Sequence, residues 1–160
     1  MTHEPKHVVY DCNVLLGAML STKGAAYQCK RLVDESKVSL FVSHFVLQEL
    51  RQTPHHPDLK RFALHTPARV EAFIIDLLTH ATLIDNVPTL FDYPRDPDDA
   101  HYVNLALAVN AIYVVSNDND LLDLMDASKP PAIDFKRRFP GLRIVEPKTL
   151  LREIEKAPAT

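Results

Sequence analysis

RDPDDAHYVNLALAVNAIYVVSNDNDLL, residues 95–122, carries five aspartates gathered at the two ends of one apolar unit. Pro97 suits the first position of a helix, and Asp96 suits the cap before it. Residues 102–111 are almost uniformly apolar, with Val103, Leu105, Ala106, Leu107, Ala108 and Val109, so the helix is expected to be buried on most sides. Residues 112–115 (IYVV) form a short β-branched and aromatic run closed by Ser116, Asn117 and Asp118. That is the pattern of a strand buried on both faces in a parallel sheet. A helix leading into a strand packed beside it runs against that strand, so the helix's first turn and the strand's last residue share an edge. Asp98 and Asp99 are therefore expected to face Asp118 and Asp120. In an open α/β sheet, ligands bind outside the carboxyl ends of the strands, at that edge.

On the N-terminal side, residues 7–10 (HVVY) read as a first strand with Asp11 at its carboxyl end, which adds a third acid to the edge. Asp11 can equally cap the apolar run that follows it. The chain is expected to loosen over 17–21, starting at Gly17, and to form a helix with Lys30 and Arg31 on a basic face over 25–35. A second strand is expected over 38–42 (VSLFV), with Ser43 as the cap of a helix over 44–52. Glu49 lies almost two turns into that helix, on a face with Phe45 and Val46. Residues 53–58 (TPHHPD) read as a loop, in which His55 and His56 lack a further ligand at a useful spacing and are expected to be exposed polar residues.

Two helices broken near Thr66 and Pro67 are expected over 59–80, followed by an extended segment over 81–87. Beyond residue 122, Lys129, Pro130 and Pro131 read as a loop, and 134–139 (DFKRRF) mixes basic and aromatic residues in a way that can contact RNA. A last strand is expected over 142–145 and a terminal helix, started by Pro147, over 147–156. The alternation of strand and helix gives the fold class as α/β, a three-layer α/β/α sandwich around a mainly parallel sheet.

At 160 residues, 46% hydrophobic and 24% charged, the chain is expected to be a single domain over 1–160 with polar tails at 1–6 and 157–160. A net charge of −3 and a pI near 6.2 argue against a protein that coats nucleic acid electrostatically. Cys12 and Cys29 show no pairing pattern, and no apolar run is long enough to span a membrane. A soluble cytoplasmic protein without a membrane partner is expected.

Asp11, Glu49, Asp99 and Asp118 come from separate elements that the topology carries toward one end of the sheet. Two unit charges about 4 Å apart repel by roughly 4 kcal/mol at an effective dielectric of ~20, so four such acids call for a neutralising cation. Oxygen-only ligands select a hard ion, Mg2+ first and Mn2+ second, and disfavour zinc. The chemistry such a centre supports is in-line hydrolysis of a phosphodiester by water, in which a second ion could stabilise the leaving oxygen.

Taken in order, VVYDCNVLL (8–16), LQEL (47–50), DPDDAHYVNLALA (96–108) and YVVSNDNDLL (113–122) resemble the PIN-domain nucleases, in particular the VapC-like toxins of toxin–antitoxin pairs. The resemblance runs from residue 7 to about 154. It implies an α/β/α sandwich in which four acids bind magnesium or manganese for the hydrolysis of RNA. By motif it implies Asp11, Glu49, Asp99 and Asp118 as those acids, catalytic and metal-binding together, with Asn13 and Ser116 as supporting polar residues. Asp98 and Asp120 are the neighbouring alternatives. It further implies an RNA substrate, a cognate antitoxin protein as partner and a homodimer.

The chain departs from the family at Cys12, where threonine is common, and at Asn117 and Asn119, where glycine and a basic residue often stand. None of these removes a ligand. One rival is an aspartyl-phosphate phosphatase or phosphotransferase. It would want a second aspartate two residues after the nucleophile, where this chain has Asn13, and a lysine between the acidic motifs at a strand end. Another is a non-catalytic protein whose acidic groove receives a partner's arginine.

Overall fold

The computed structural model describes residues 4–59, 62 and 65–156. Along the chain these form β1 (Lys6–Tyr10), α1 (Cys12–Leu20), α2 (Ala25–Asp34), β2 (Val38–Ser43), α3 (His44–Gln52), α4 (Pro67–Leu78) and β3 (Thr82–Ile84). Then come α5 (Pro97–Ala108), β4 (Tyr113–Val115), α6 (Asn119–Leu122), α7 (Pro130–Arg138), β5 (Arg143–Val145) and α8 (Pro147–Lys156). Short 3-10 turns occupy Thr53–His55, Pro57–Leu59 and Asp123–Met125.

The sheet runs β3-β2-β1-β4-β5, and every adjacent pair is parallel. Parallel pairing requires crossovers, and the helices that supply them cover the sheet in an α/β/α sandwich. This is why Val8, Val9, Val114 and Val115 are fully buried in strands with no polar alternation. Helix α5 lies against β1, β2 and β4 with Val103, Leu105 and Ala106 fully buried, as its apolar composition demands. From β1 the chain builds outward through β2 to β3, then returns to place β4 on the other side of β1. The crevice beside Asp11 and Asp118, at the carboxyl ends of β1 and β4, is thus the point where the strand order reverses, the expected place for a ligand in such a sheet.

Several local expectations are corrected. The chain does not loosen at Gly17. Helix α1 continues to Leu20, and a Cβ at position 17 would stand 3.1 Å from the Ala26 Cβ, so the glycine serves the close approach of α1 to α2. Pro130 and Pro131 do not form a loop but open α7, where a missing N–H costs nothing. The 134–139 segment is helical for most of its length and turns its rings inward. Phe135 and Phe139 pack edgewise on Phe91, while Arg137 and Arg138 pair with Asp134, which leaves no exposed aromatic face for RNA. Between 59 and 80 the described residues contain one helix, α4. Most of the other expected helix, with residues 60, 61, 63 and 64, lies outside the described residues, as do 1–3 and 157–160 of the expected tails; Lys6 already belongs to β1. Among the described residues no helix is long and apolar enough to cross a membrane.

Candidate metal centre

Each acid reaches the switch-point crevice by a different local device. Asp11 follows β1 and caps α1, its Oδ1 accepting the Val14 N–H at 2.9 Å. Its other oxygen accepts the hydroxyl of fully buried Ser116, which itself accepts the Asp118 N–H at 2.9 Å. Ser116 therefore ties the ends of β1 and β4 together. Asp118 caps α6 through the Asp120 N–H at 2.9 Å. Asp99 stands in the first turn of α5, only 6% exposed.

One carboxylate oxygen each from Asp96, Asp99, Asp118 and Asp120 lies within 4.8 Å of the other three. Asp99 Oδ2 is buried with no hydrogen-bond partner among the described residues. Burial, followed by the charges of Asp118 and Asp96, pushes the Asp99 carboxyl up to about 8. Burial likewise raises Asp11, against the pull of Ser116 and Val14, and raises Glu49 together with the charges of Asp98, Asp11 and Asp96.

Glu49 approaches from α3. Its Oε1 accepts the hydroxyl of Tyr102, which in turn accepts the Cys12 N–H at 3.0 Å. A cleft of about 570 Å3 opens over this floor, lined by Asp11, Asn13, Glu49, Asp96, Asp98, Asp99, Tyr102 and Asp118, with Gln52, Thr53, His56 and Asp58 on its other side. A crowd of carboxylates in a cleft with one oxygen orphaned is chemically suited to a hard divalent cation, because oxygen is all it offers.

A family model described as PIN domain matches residues 7–120. The chain belongs to the PIN domain family. PIN domains are generally nucleases that use divalent metal ions. This PIN domain is 29% identical over 149 residues to the uncharacterized protein MJ1680 of Methanocaldococcus jannaschii, a match covering 93% of this chain and 92% of that protein. Its fold is similar to VapBC2 from Rickettsia felis, solved bound to a DNA fragment from their promoter. The TM-score is 0.53 at 16% identity, over 88% of this chain and 98% of that one.

The structure separates the neighbours that the PIN domain's sequence leaves open. Asp98 and Asp99 do not both face Asp118 and Asp120, because successive helix residues point about 100° apart. Asp99 joins that cluster, while Asp98 lines the cleft near Glu49 and its charge helps to raise the Glu49 pKa. Asp120 is already engaged: Arg95 donates to its Oδ1 and to Asp123 Oδ2, both at 2.7 Å. Asp96 holds the cap position of α5, but its side chain caps nothing and turns to the cluster instead.

Three contributors escaped the sequence reading. In the sequence Tyr102 stands at the start of the apolar run. Arg95 opens the 95–122 stretch yet carries no motif of its own. Asn104, buried in α5, accepts the Leu90 and Phe91 N–H groups at 2.9 and 2.8 Å and donates to the Phe91 carbonyl at 2.9 Å. It fastens a strap whose Tyr93 hydroxyl holds the Asp120 carbonyl at 2.8 Å and whose end carries Arg95 and Asp96 into the site. A polar residue inside an apolar helical run was the available signal for Tyr102 and Asn104.

Proposed function

We propose that this PIN domain is a Mg2+- or Mn2+-dependent endoribonuclease and the toxin component of a toxin–antitoxin pair. The observation that carries the reading is Asp99: a buried carboxyl with a partnerless oxygen, among Asp96 and Asp118, that a cation would satisfy. Asp99, Asp118, Asp11 and Asp96 would hold the ion, with Glu49 across the cleft. When bound, a divalent ion makes a water nucleophilic near neutral pH and offsets the charge that develops on a phosphodiester in the transition state.

The chain's own residues supply the rest. Tyr102 occupies Glu49 Oε1, leaving Oε2 to accept a proton from the attacking water. Ser116 and the Val14 N–H fix the Asp11 carboxylate while leaving it lone pairs to spare. Asn13, exposed at the mouth, offers an amide to the substrate. Of the neighbouring alternatives, Asp98 stands beside Glu49 and Asp120 is neutralised by Arg95, so both support the site rather than ligate. The VapC-like motifs and the likeness to VapBC2 support an antitoxin as partner.

The test is cleavage of a mixed RNA pool with Mn2+, with Mn2+ removed by EDTA, and by the Asp11→Ala and Asp99→Asn variants. Cleavage by the unaltered chain that disappears in the other three conditions is expected. Cleavage that survives EDTA or Asp99→Asn, or none at all, would overturn the assignment.

A further inference from the structure

Beside the acid cleft, helices α3 and α5 present a second feature that the hydrolytic chemistry does not use. Phe45 and His101 stack face to face, with ring centroids 3.7 Å apart and planes 11° from parallel. Phe45 also meets the edge of Tyr102 at 6.2 Å and 77°. Phe45 is half-buried, whereas His101 is exposed. Among the described residues His101 makes no hydrogen bond or ion pair. Its exposed ring is thus supported on one face by Phe45.

The position of the pair matters as much as its chemistry. Phe45 and Glu49 are four residues apart on α3, and Asp98 and His101 are three apart on α5, so each ring and its acid share a helix face about one turn, roughly 5.4 Å, from one another. Tyr102 touches both levels, donating to Glu49 and edging onto Phe45. The acid level and the ring level therefore form one continuous surface across the two helices.

We propose that the Phe45–His101 stack is a base-binding platform, on which an unpaired nucleobase of single-stranded RNA stacks next to the phosphodiester held in the cleft. This rests on the nuclease reading above. An aromatic face accepts any base, because every base has a π-face, and it accepts only a base that is not paired within a duplex. The platform therefore selects single strands without selecting a sequence. It also grips the substrate through rings where the surrounding carboxylates repel its backbone.

The test uses the full chain with Ca2+ in place of Mg2+ and single-stranded oligoribonucleotides carrying 2-aminopurine at successive positions, whose fluorescence is quenched on stacking. The chain has no tryptophan to interfere. The unaltered chain should quench one position, His101→Ala should abolish the quenching and weaken binding about tenfold, and His101→Tyr should restore both. Duplex RNA should bind the unaltered chain and His101→Ala alike. Cleavage of the same oligonucleotides with Mn2+ is followed in parallel. Cleavage without quenching, or quenching that persists in His101→Ala, would overturn the platform and leave the nuclease standing. Absence of both cleavage and binding would overturn the nuclease, and the platform with it.

Discussion

The Tyr102 hydroxyl donates to the Glu49 carboxylate while accepting the backbone N–H of Cys12, so one buried phenol joins the acid on α3 to the first residue of α1. Tyr102→Phe leaves the Cys12 N–H buried without a partner and frees Glu49 to rotate. An orphaned buried donor costs about 1–3 kcal/mol, which urea unfolding will read directly. Metal-dependent cleavage should fall by at least roughly tenfold, the scale at which a misplaced general base is felt.

Asp99 makes the metal-free protein sensitive to pH. Its carboxyl sits at about 8 in the fold against roughly 3.9 in an unfolded chain. Below about pH 4 both states are protonated and the fold has its full stability. As pH rises toward 8 the unfolded chain ionises first, and stability is lost. Acidifying from pH 8 to 5 should therefore raise the Tm of the metal-free protein. Asp99→Asn should flatten much of that slope and stabilise the protein at pH 8 by about 2 kcal/mol, roughly 4–8 °C in Tm. Addition of Mn2+ should stabilise the unaltered chain at pH 8 and leave Asp99→Asn unmoved, as thermal melts will show.

Arg95 holds Asp120 away from the service of a cation. The pair is part-exposed, with side chains 41% and 31% accessible, so its loss should cost little stability. Arg95→Ala should instead free the Asp120 carboxylate, already in the cluster, to serve a cation and tighten Mn2+ binding several-fold in isothermal titration. Combining it with Asp120→Asn should return the affinity to that of the unaltered chain.

Asn104 fastens the strap through three hydrogen bonds to the backbone of Leu90 and Phe91. Asn104→Ala strands the buried N–H and carbonyl of Phe91 and the part-buried N–H of Leu90, and should cost about 2–3 kcal/mol in chemical unfolding. Because the strap carries Arg95 and Asp96, Mn2+ affinity should change in the same variant, whereas a purely structural lesion would lower stability and leave the affinity of the folded fraction intact.

Much of this PIN domain is legible residue by residue. The bounds of α3 and α8 follow from Ser43 as a cap and from Pro147 at a helix start, both of which act within a single turn. The buried character of α5 and β4 follows from uninterrupted apolar runs. Where the reading slipped, the deciding partner was remote in sequence. Gly17 reads as a breaker until Ala26 is brought against it, and Pro130 and Pro131 read as a loop until α7 is seen to begin on them. The rings of 134–139 read as an RNA surface until Phe91, more than forty residues away in the chain, packs against them.

The sequence by itself determined the alternation of strands and helices, the parallel sheet and the delivery of acids to the strands' carboxyl ends, because periodicity, capping and crossover direction are properties of neighbouring residues. Only the tertiary structure decided that Asp99 rather than Asp98 enters the cluster, that Arg95 neutralises Asp120, that Asp96 leaves its capping role, and that Asp99 keeps an oxygen without a partner among the described residues. Those outcomes depend on helix rotation, on burial and on distances between residues far apart along the chain, and these exist only once the layers have packed.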